Sequence, residues 1–148
     1  MIALTVDASV AVKWFLAGTP DEPDSEKAIS ILLSARASDV VLLQPPHWRA
    51  EVAAVLARRE PALALESIAD LCRLPNVDIV DTDAMVLAAT QIAIELGEHV
   101  FDTLYHAAAL EHDAMLITAD ERYFRRARKR GAIALLRQYV TGSAGAVR

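Results

Sequence analysis

Four acidic residues lie where their carboxylates could act on one substrate. Asp7 follows the apolar run of "ALTVDASV" and Asp120 follows that of "MLITADERYF". Asp102 opens the helical run "FDTLYHAAAL", and Glu51 lies within "PPHWRAEVAAVLARR". Converging carboxylates repel one another and raise one another's pKa unless a cation sits among them. Ligands that are all oxygen select a hard ion, Mg²⁺ first and Mn²⁺ second. Such an ion orients water, lowers its pKa and offsets charge on a phosphodiester. The candidate chemistry is therefore metal-dependent phosphodiester hydrolysis.

Alternating strands and helices must bring these acids together. Short apolar runs at Ile2–Val6, Val40–Leu43, Val77–Val80, Met115–Thr118 and Ile133–Leu136 are bounded by turn or cap residues and predict buried strands. Helical patterns lie between them. One follows Asp24, and others cover His47–Arg59, Ala62–Leu74, Ala84–Leu96, Asp102–His112 and Asp120–Arg130. The alternation predicts a single α/β domain over residues 1–140, with a mainly parallel sheet of about five strands and helices on both faces. Residues 141–148, "TGSAGAVR", are expected to form a flexible tail. Ligand sites in open α/β sheets collect beyond the carboxyl ends of the strands, where Asp7 and Asp120 would emerge together if their strands are neighbours. Glu51 falls about 40° from Val55, at the margin of the apolar stripe of its helix, from which it can face a cleft.

Each acid also has a structural reading. Asp7 and Asp102 sit where an N-cap would. Thr118 and Glu121 have the spacing of a T-x-x-E capping box with Asp120 inside the first turn, and Glu51 could be a solvated helix acid. The four together are harder to account for in this way, because two leave strand ends on one edge and two lie on helices able to flank it.

Composition narrows the function classes. The 148 residues are 54% hydrophobic and only 5% aromatic, so the core must be largely aliphatic and alanine. No apolar run is long enough to span a bilayer, and "MIALTVDAS" reads as a buried strand rather than a signal peptide. The single cysteine, Cys72, excludes an intramolecular disulfide and fits a reducing, cytoplasmic setting. A net charge of −5 argues against a general nucleic-acid coat. Setting aside the four site acids leaves 16 acidic residues against 15 basic ones, so distribution matters more than the total.

In order and spacing, these motifs resemble those of PIN-domain ribonucleases, in particular the VapC toxins of bacterial toxin–antitoxin pairs. The likeness rests on Asp7–Ala8–Ser9 after the first strand, Glu51 after "QPPHWRA", Asp102 in "FDTLYHAAAL" and Asp120 in "ITADERYF", and it spans essentially the whole folded chain. The resemblance implies a hydrolase in which Asp7, Glu51, Asp102 and Asp120 form the catalytic Mg²⁺ or Mn²⁺ site, with Ser9 and Thr118 supporting it through hydrogen bonds. It implies endonucleolytic cleavage of a structured cellular RNA such as tRNA or rRNA, leaving a 5′-phosphate and a 3′-hydroxyl. It further implies a homodimer and neutralisation by a VapB-like antitoxin. Trp14 and Phe15 read first as core or subunit-interface residues, and the resemblance adds a hydrophobic groove between the first helices that would receive the antitoxin. Where relatives carry a further acid just beyond the last Asp, only Glu121 is available here.

Arg122, Arg125, Arg126 and Lys129 share one face of the helix after Asp120 and are candidates for tracking RNA phosphates. The alternative is a solvated basic face that suits the negative end of the helix. His106, one turn after Asp102, is expected to be a satisfied or surface histidine rather than a catalytic group. Two other functions compete with the leading one: a PIN-like nuclease acting on DNA, and a scaffold that binds RNA or protein without cutting. A phosphatase of the D-x-D type is disfavoured, because Ser9 stands where its second acid would be.

Overall fold

The computed structural model describes residues 1–142. The predicted strands form a five-stranded sheet of β1 (Ile2–Val6), β2 (Val40–Gln44), β3 (Val77–Ile79), β4 (Met115–Thr118) and β5 (Ile133–Leu135), ordered β3-β2-β1-β4-β5. Every pairing is parallel. The expectation of a mainly parallel sheet is met in full.

Seven α-helices accompany the sheet among the described residues: α1 (Ala8–Ala11), α2 (Ser25–Arg36), α3 (Trp48–Arg59), α4 (Pro61–Cys72), α5 (Asp83–Leu96), α6 (Val100–Glu111) and α7 (Glu121–Ala127). A 3₁₀ turn at Val12–Trp14 extends α1, and a second at Arg128–Arg130 finishes the run predicted as one helix through Arg130. From β1 the chain first travels toward β2 and β3, then crosses back to β4 and β5. Because parallel crossovers are right-handed, the reversal sends the connecting helices to opposite faces. It also opens a crevice between β1 and β4 at their carboxyl ends.

The core is aliphatic, as the composition requires. Leu4, Val6, Val40, Leu42, Leu116 and Ile117 fill the sheet, and Trp48 and Tyr105 are the largest fully buried side chains. Ala107, Ala108 and Ala109 are completely buried in α6, which packs against both α5 and the sheet. Three small side chains in a row let its backbone approach both neighbours. Gly97 ends α5 in the left-handed region (φ 64°), with its N–H bonded to Ala93, a conformation that suits glycine. No described helix is long and apolar enough to cross a membrane.

The loop at 18–23 is anchored. Buried Lys13 donates to Glu22 Oε2 at 3.0 Å and to the Pro23 carbonyl at 2.7 Å, while Arg59 pairs with Glu22 and Asp21. Thr141, at the start of the expected tail, meets the Ser30 hydroxyl. Residues 143–148 of that tail lie outside the described residues.

Candidate active site

Strand register sets the floor of the crevice. Val6 pairs with Ile117, so Asp7, the residue after β1, emerges beside Thr118, the last residue of β4. On the other flank of β1 the ladder ends in a side-chain substitute for a strand pair. Val6 N–H donates to Gln44 Oε1 at 2.9 Å, and Gln44 Nε2 donates to the Val6 carbonyl at 2.8 Å. Both backbone groups of Val6 are thus held immediately before Asp7.

Two hydroxyls hold the Asp7 carboxylate. Ser9 Oγ donates to one oxygen, and Thr118 Oγ1 donates to the other at 2.5 Å. Each hydroxyl also accepts a backbone N–H, Ser9 from Ala119 at 3.1 Å and Thr118 from Asp120 at 3.0 Å. A hydroxyl has one hydrogen, so accepting from the backbone leaves that hydrogen for Asp7. Burial nonetheless pushes the Asp7 pKa up to about 6. The two hydroxyls pull it back, and the Asp120 charge adds to the rise.

Of the four acids only Asp120 makes a side-chain cap bond, although the sequence placed it inside the first turn. Asp120 caps α7, its Oδ1 accepting the Tyr123 N–H at 3.0 Å. Thr118 therefore does not form the T-x-x-E box its spacing allowed, because its hydroxyl is turned to Asp7. Asp7 precedes α1 but makes no side-chain cap bond. Asp102 lies inside the first turn of α6, whose N-cap is His99. Partial desolvation and the charges of Glu51, Asp120 and Glu98 raise the Asp102 pKa, with only His99 opposing.

Glu51 enters from α3. Its Oε2 accepts the Tyr105 hydroxyl of α6 at 2.5 Å. Burial, then Glu51, Asp7 and Asp102, drive the Tyr105 pKa far upward, so the phenol stays protonated as a donor. His47 lies over Tyr105, with ring centroids 4.8 Å apart, and its Nε2 is 2.8 Å from the Phe101 carbonyl. A carbonyl only accepts, so Nε2 carries the hydrogen. This contact fastens the start of α3 to the first turn of α6.

The acids are linked pairwise, Asp7 with Asp120, Asp120 with Asp102, and Asp102 with Glu51, each pair close enough for one charge to be felt by the other. As the side chains stand, no group of three or more His, Cys, Asp or Glu among the described residues is placed to hold a metal ion. The array is open rather than a closed ligand shell. Its donor set still fits a hard divalent ion, since all four groups are carboxylates and negative neighbours act on both Asp7 and Asp102.

Other predicted residues fall into place differently. His106 is fully buried, with Nε2 donating to the Gly131 carbonyl at 2.8 Å and Nδ1 accepting the Tyr123 hydroxyl at 3.0 Å. Burial lowers its pKa. It is the satisfied histidine the sequence suggested. Trp14 belongs to the core, donating to the Ala28 carbonyl at 2.8 Å and meeting Trp48 edge-on. Much of the basic face of α7 is neutralised. Arg122 and Arg126 pair with Glu98, and Arg125 and Arg137 with Glu121. Arg130 pairs with Glu95. Gln44, His47, Tyr105 and Glu98 were not among the predicted site residues. Only Tyr105 left a trace, one helical turn from Asp102.

Solved structures share this architecture at low identity. VapBC2 from Rickettsia felis, solved bound to a DNA fragment from its promoter, matches with a TM-score of 0.64 at 13% identity, covering 91% of this chain and 98% of that one. VapBC-1 from nontypeable Haemophilus influenzae matches with a TM-score of 0.62 at 17% identity, covering 93% and 100%. VapC20 from Mycobacterium tuberculosis, described as a Sarcin-Ricin loop cleaving toxin, gives 0.58 at 17% identity, covering 78% and 87%. No curated protein matches the chain in sequence. The family model described as PIN domain matches residues 4–130, which takes in all four acids, part of β1 and the whole of β2, β3 and β4, and the chain belongs to the PIN-domain family.

Proposed function

We propose that this PIN domain is a divalent-metal-dependent endoribonuclease that hydrolyses a structured RNA, tRNA or rRNA, and is held inactive by a VapB-like antitoxin. The observation that carries the proposal is the state of Asp7. A carboxylate at the end of the central strand is half-buried, raised to about 6 and repelled by Asp120, while two hydroxyls keep it in place. A cap or a surface acid needs none of this, whereas an ion-binding group does. Asp7, Glu51, Asp102 and Asp120 would hold Mg²⁺ or Mn²⁺. The ion would supply a water of lowered pKa and screen the phosphate charge.

The protein's own groups have separate tasks in this scheme. Ser9 and Thr118 orient Asp7, and Tyr105 orients Glu51. Asp120 receives the Tyr123 N–H and so ties its own position to the start of α7. The RNA and antitoxin parts of the reading draw support from the likeness to VapC20 and the VapBC proteins, and the chain is proposed to act as a cytoplasmic homodimer.

The deciding experiment is incubation of a total small-RNA pool with purified protein in Mg²⁺ or Mn²⁺, with EDTA, and with the Asp7→Asn variant. Discrete products lost in both controls are expected. Wild-type turnover by folded Asp7→Asn protein would remove Asp7 from the mechanism. Matched DNA oligonucleotides cut as fast as RNA at equal salt would shift the substrate to DNA.

A further inference from the structure

Glu98 lies between α5 and α6, and its carboxylate is only 3% exposed although it is charged. Its Oε1 takes Arg126 Nη1 at 2.8 Å and Arg122 Nη2 at 3.3 Å. The two arginines are not equivalent. Arg126 also donates through Nη2 to the Leu96 carbonyl at the end of α5, so its fork is engaged on both sides. Arg122 makes the longer contact alone, and its side chain is 63% exposed. Two guanidinium groups on one carboxylate leave a positive charge over, and the exposed group is the one with donors to spare.

The pair of Arg122 and Glu98 joins the elements that carry two of the acids. Arg122 follows Asp120 by two residues, in the first turn of α7, and Glu98 precedes Asp102 by four, in the turn between α5 and α6. A purely structural tie between α5 and α7 accounts for Arg126 but leaves the second, exposed guanidinium without a task. Elsewhere on the basic face, Arg125 shares Glu121 with Arg137, and Arg130 is matched by Glu95. We infer that Arg122 is a phosphate-holding residue beside the acidic array, that Glu98 is the positioning residue that fixes it there, and that Arg126 cancels the Glu98 charge. The inference rests on the ribonuclease reading above, and its ligand is an RNA phosphate flanking the bond to be cut.

The test uses full-length Asp7→Asn protein, a fluorescently labelled RNA hairpin and Mg²⁺, with binding followed by anisotropy over a range of salt concentrations. Arg122→Ala is expected to weaken binding about tenfold and to lower the slope of log affinity against log salt by about one. Arg128, exposed and without an ion-pair partner among the described residues, is the control, and Arg128→Ala is expected to keep the parent slope. Equal losses in the two variants would mean diffuse attraction and would overturn the assignment of Arg122.

Positioning by Glu98 is read from the 5′ ends of products made by protein with Asp7 intact. Glu98→Ala should turn discrete ends into staggered ones, and Glu98→Gln serves if the alanine variant fails to fold. Unchanged cut sites would overturn the role of Glu98. If the Asp7→Asn protein binds no RNA, the ribonuclease reading falls and this inference with it. If RNA is bound and cut but Arg122→Ala behaves as its parent, only the arginine assignment falls.

Discussion

Replacing Asp7 by Asn separates what the site costs the fold from what it does. The carboxyl titrates at about 6 in the folded protein against 3.8 for the free group, a difference of about 2.2 units. At about 1.36 kcal/mol per unit, ionised Asp7 burdens the metal-free fold by about 3 kcal/mol at neutral pH. The folded state holds its proton longer than the unfolded state does. Stability therefore falls as pH rises from about 4 to about 6 and is level above that, as far as this group decides it.

Asn removes the charge but also turns an NH₂ toward a hydroxyl that had donated to an oxygen, a loss of about 1 kcal/mol. The net expectation for Asp7→Asn in EDTA at pH 7.5 is stabilisation by about 2 kcal/mol, which at this chain length is about 6 °C in Tm. At pH 4 the gain should vanish, because wild-type Asp7 is then protonated in the folded state. Urea unfolding of both proteins at pH 4, 6 and 7.5 measures the difference directly. Adding Mg²⁺ should narrow the gap at pH 7.5 by stabilising the wild type alone. A variant less stable than wild type by the same amount at every pH would refute the reasoning, since Asp7 would then be an ordinary hydrogen-bonded acid.

Three further substitutions probe the supports. Thr118→Val removes a donor from Asp7 and should carry its pKa above 6, so that the acid-side fall in stability in EDTA continues to higher pH than in wild type. An unshifted window would mean the hydroxyl does nothing for the charge. Gln44→Leu strands the N–H and C=O of Val6 in the interior, at about 1–3 kcal/mol for each group, and should lower urea stability by about 2–6 kcal/mol. A loss under about 0.5 kcal/mol, typical of an unremarkable surface site, would show that the strand end re-pairs without it. Tyr105→Phe takes the donor from a partly exposed Glu51 that can rehydrate, so about 1 kcal/mol should be lost with an unchanged m-value. A calorimetric Mn²⁺ titration should still show binding, because all four carboxylates remain.

The strands were legible to within a residue or two because a parallel sheet buried on both faces demands short, continuous apolar runs, and Ile2–Val6 and Met115–Thr118 coincide with β1 and β4. The emergence of Asp7 and Asp120 on one edge of the sheet was legible for the same reason, given that the two strands are neighbours. What the linear sequence could not reveal are contacts set by tertiary packing. Gln44 reads as the polar end of a strand, and nothing local says that its amide will replace a strand pair with Val6. Glu98 reads as a turn acid after Gly97, and its burial depends on two arginines 24 and 28 residues away. The basic face of α7 was read correctly as a periodicity. Its largely neutralised state was only partly readable, because Glu121 stands four residues before Arg125 on α7 itself, whereas Glu95 lies on α5 and Glu98 in the turn after it.

The contrast between Asp7 and Asp120 explains why single-residue readings were ambiguous. Both follow parallel strands, and both stand where a helix begins. Asp120 accepts the N–H of Tyr123, so its charge is placed against the positive end of α7. Asp7 precedes a helix of only four residues and forgoes the capping bond. Its oxygens go instead to two hydroxyls whose own acceptor sites are filled by the backbone of the β4–α7 turn. The same turn that positions Asp120 thus also positions Asp7, and a shift in one moves the other. That coupling is what a shared ligand site requires, and two independent helix caps would have no use for it.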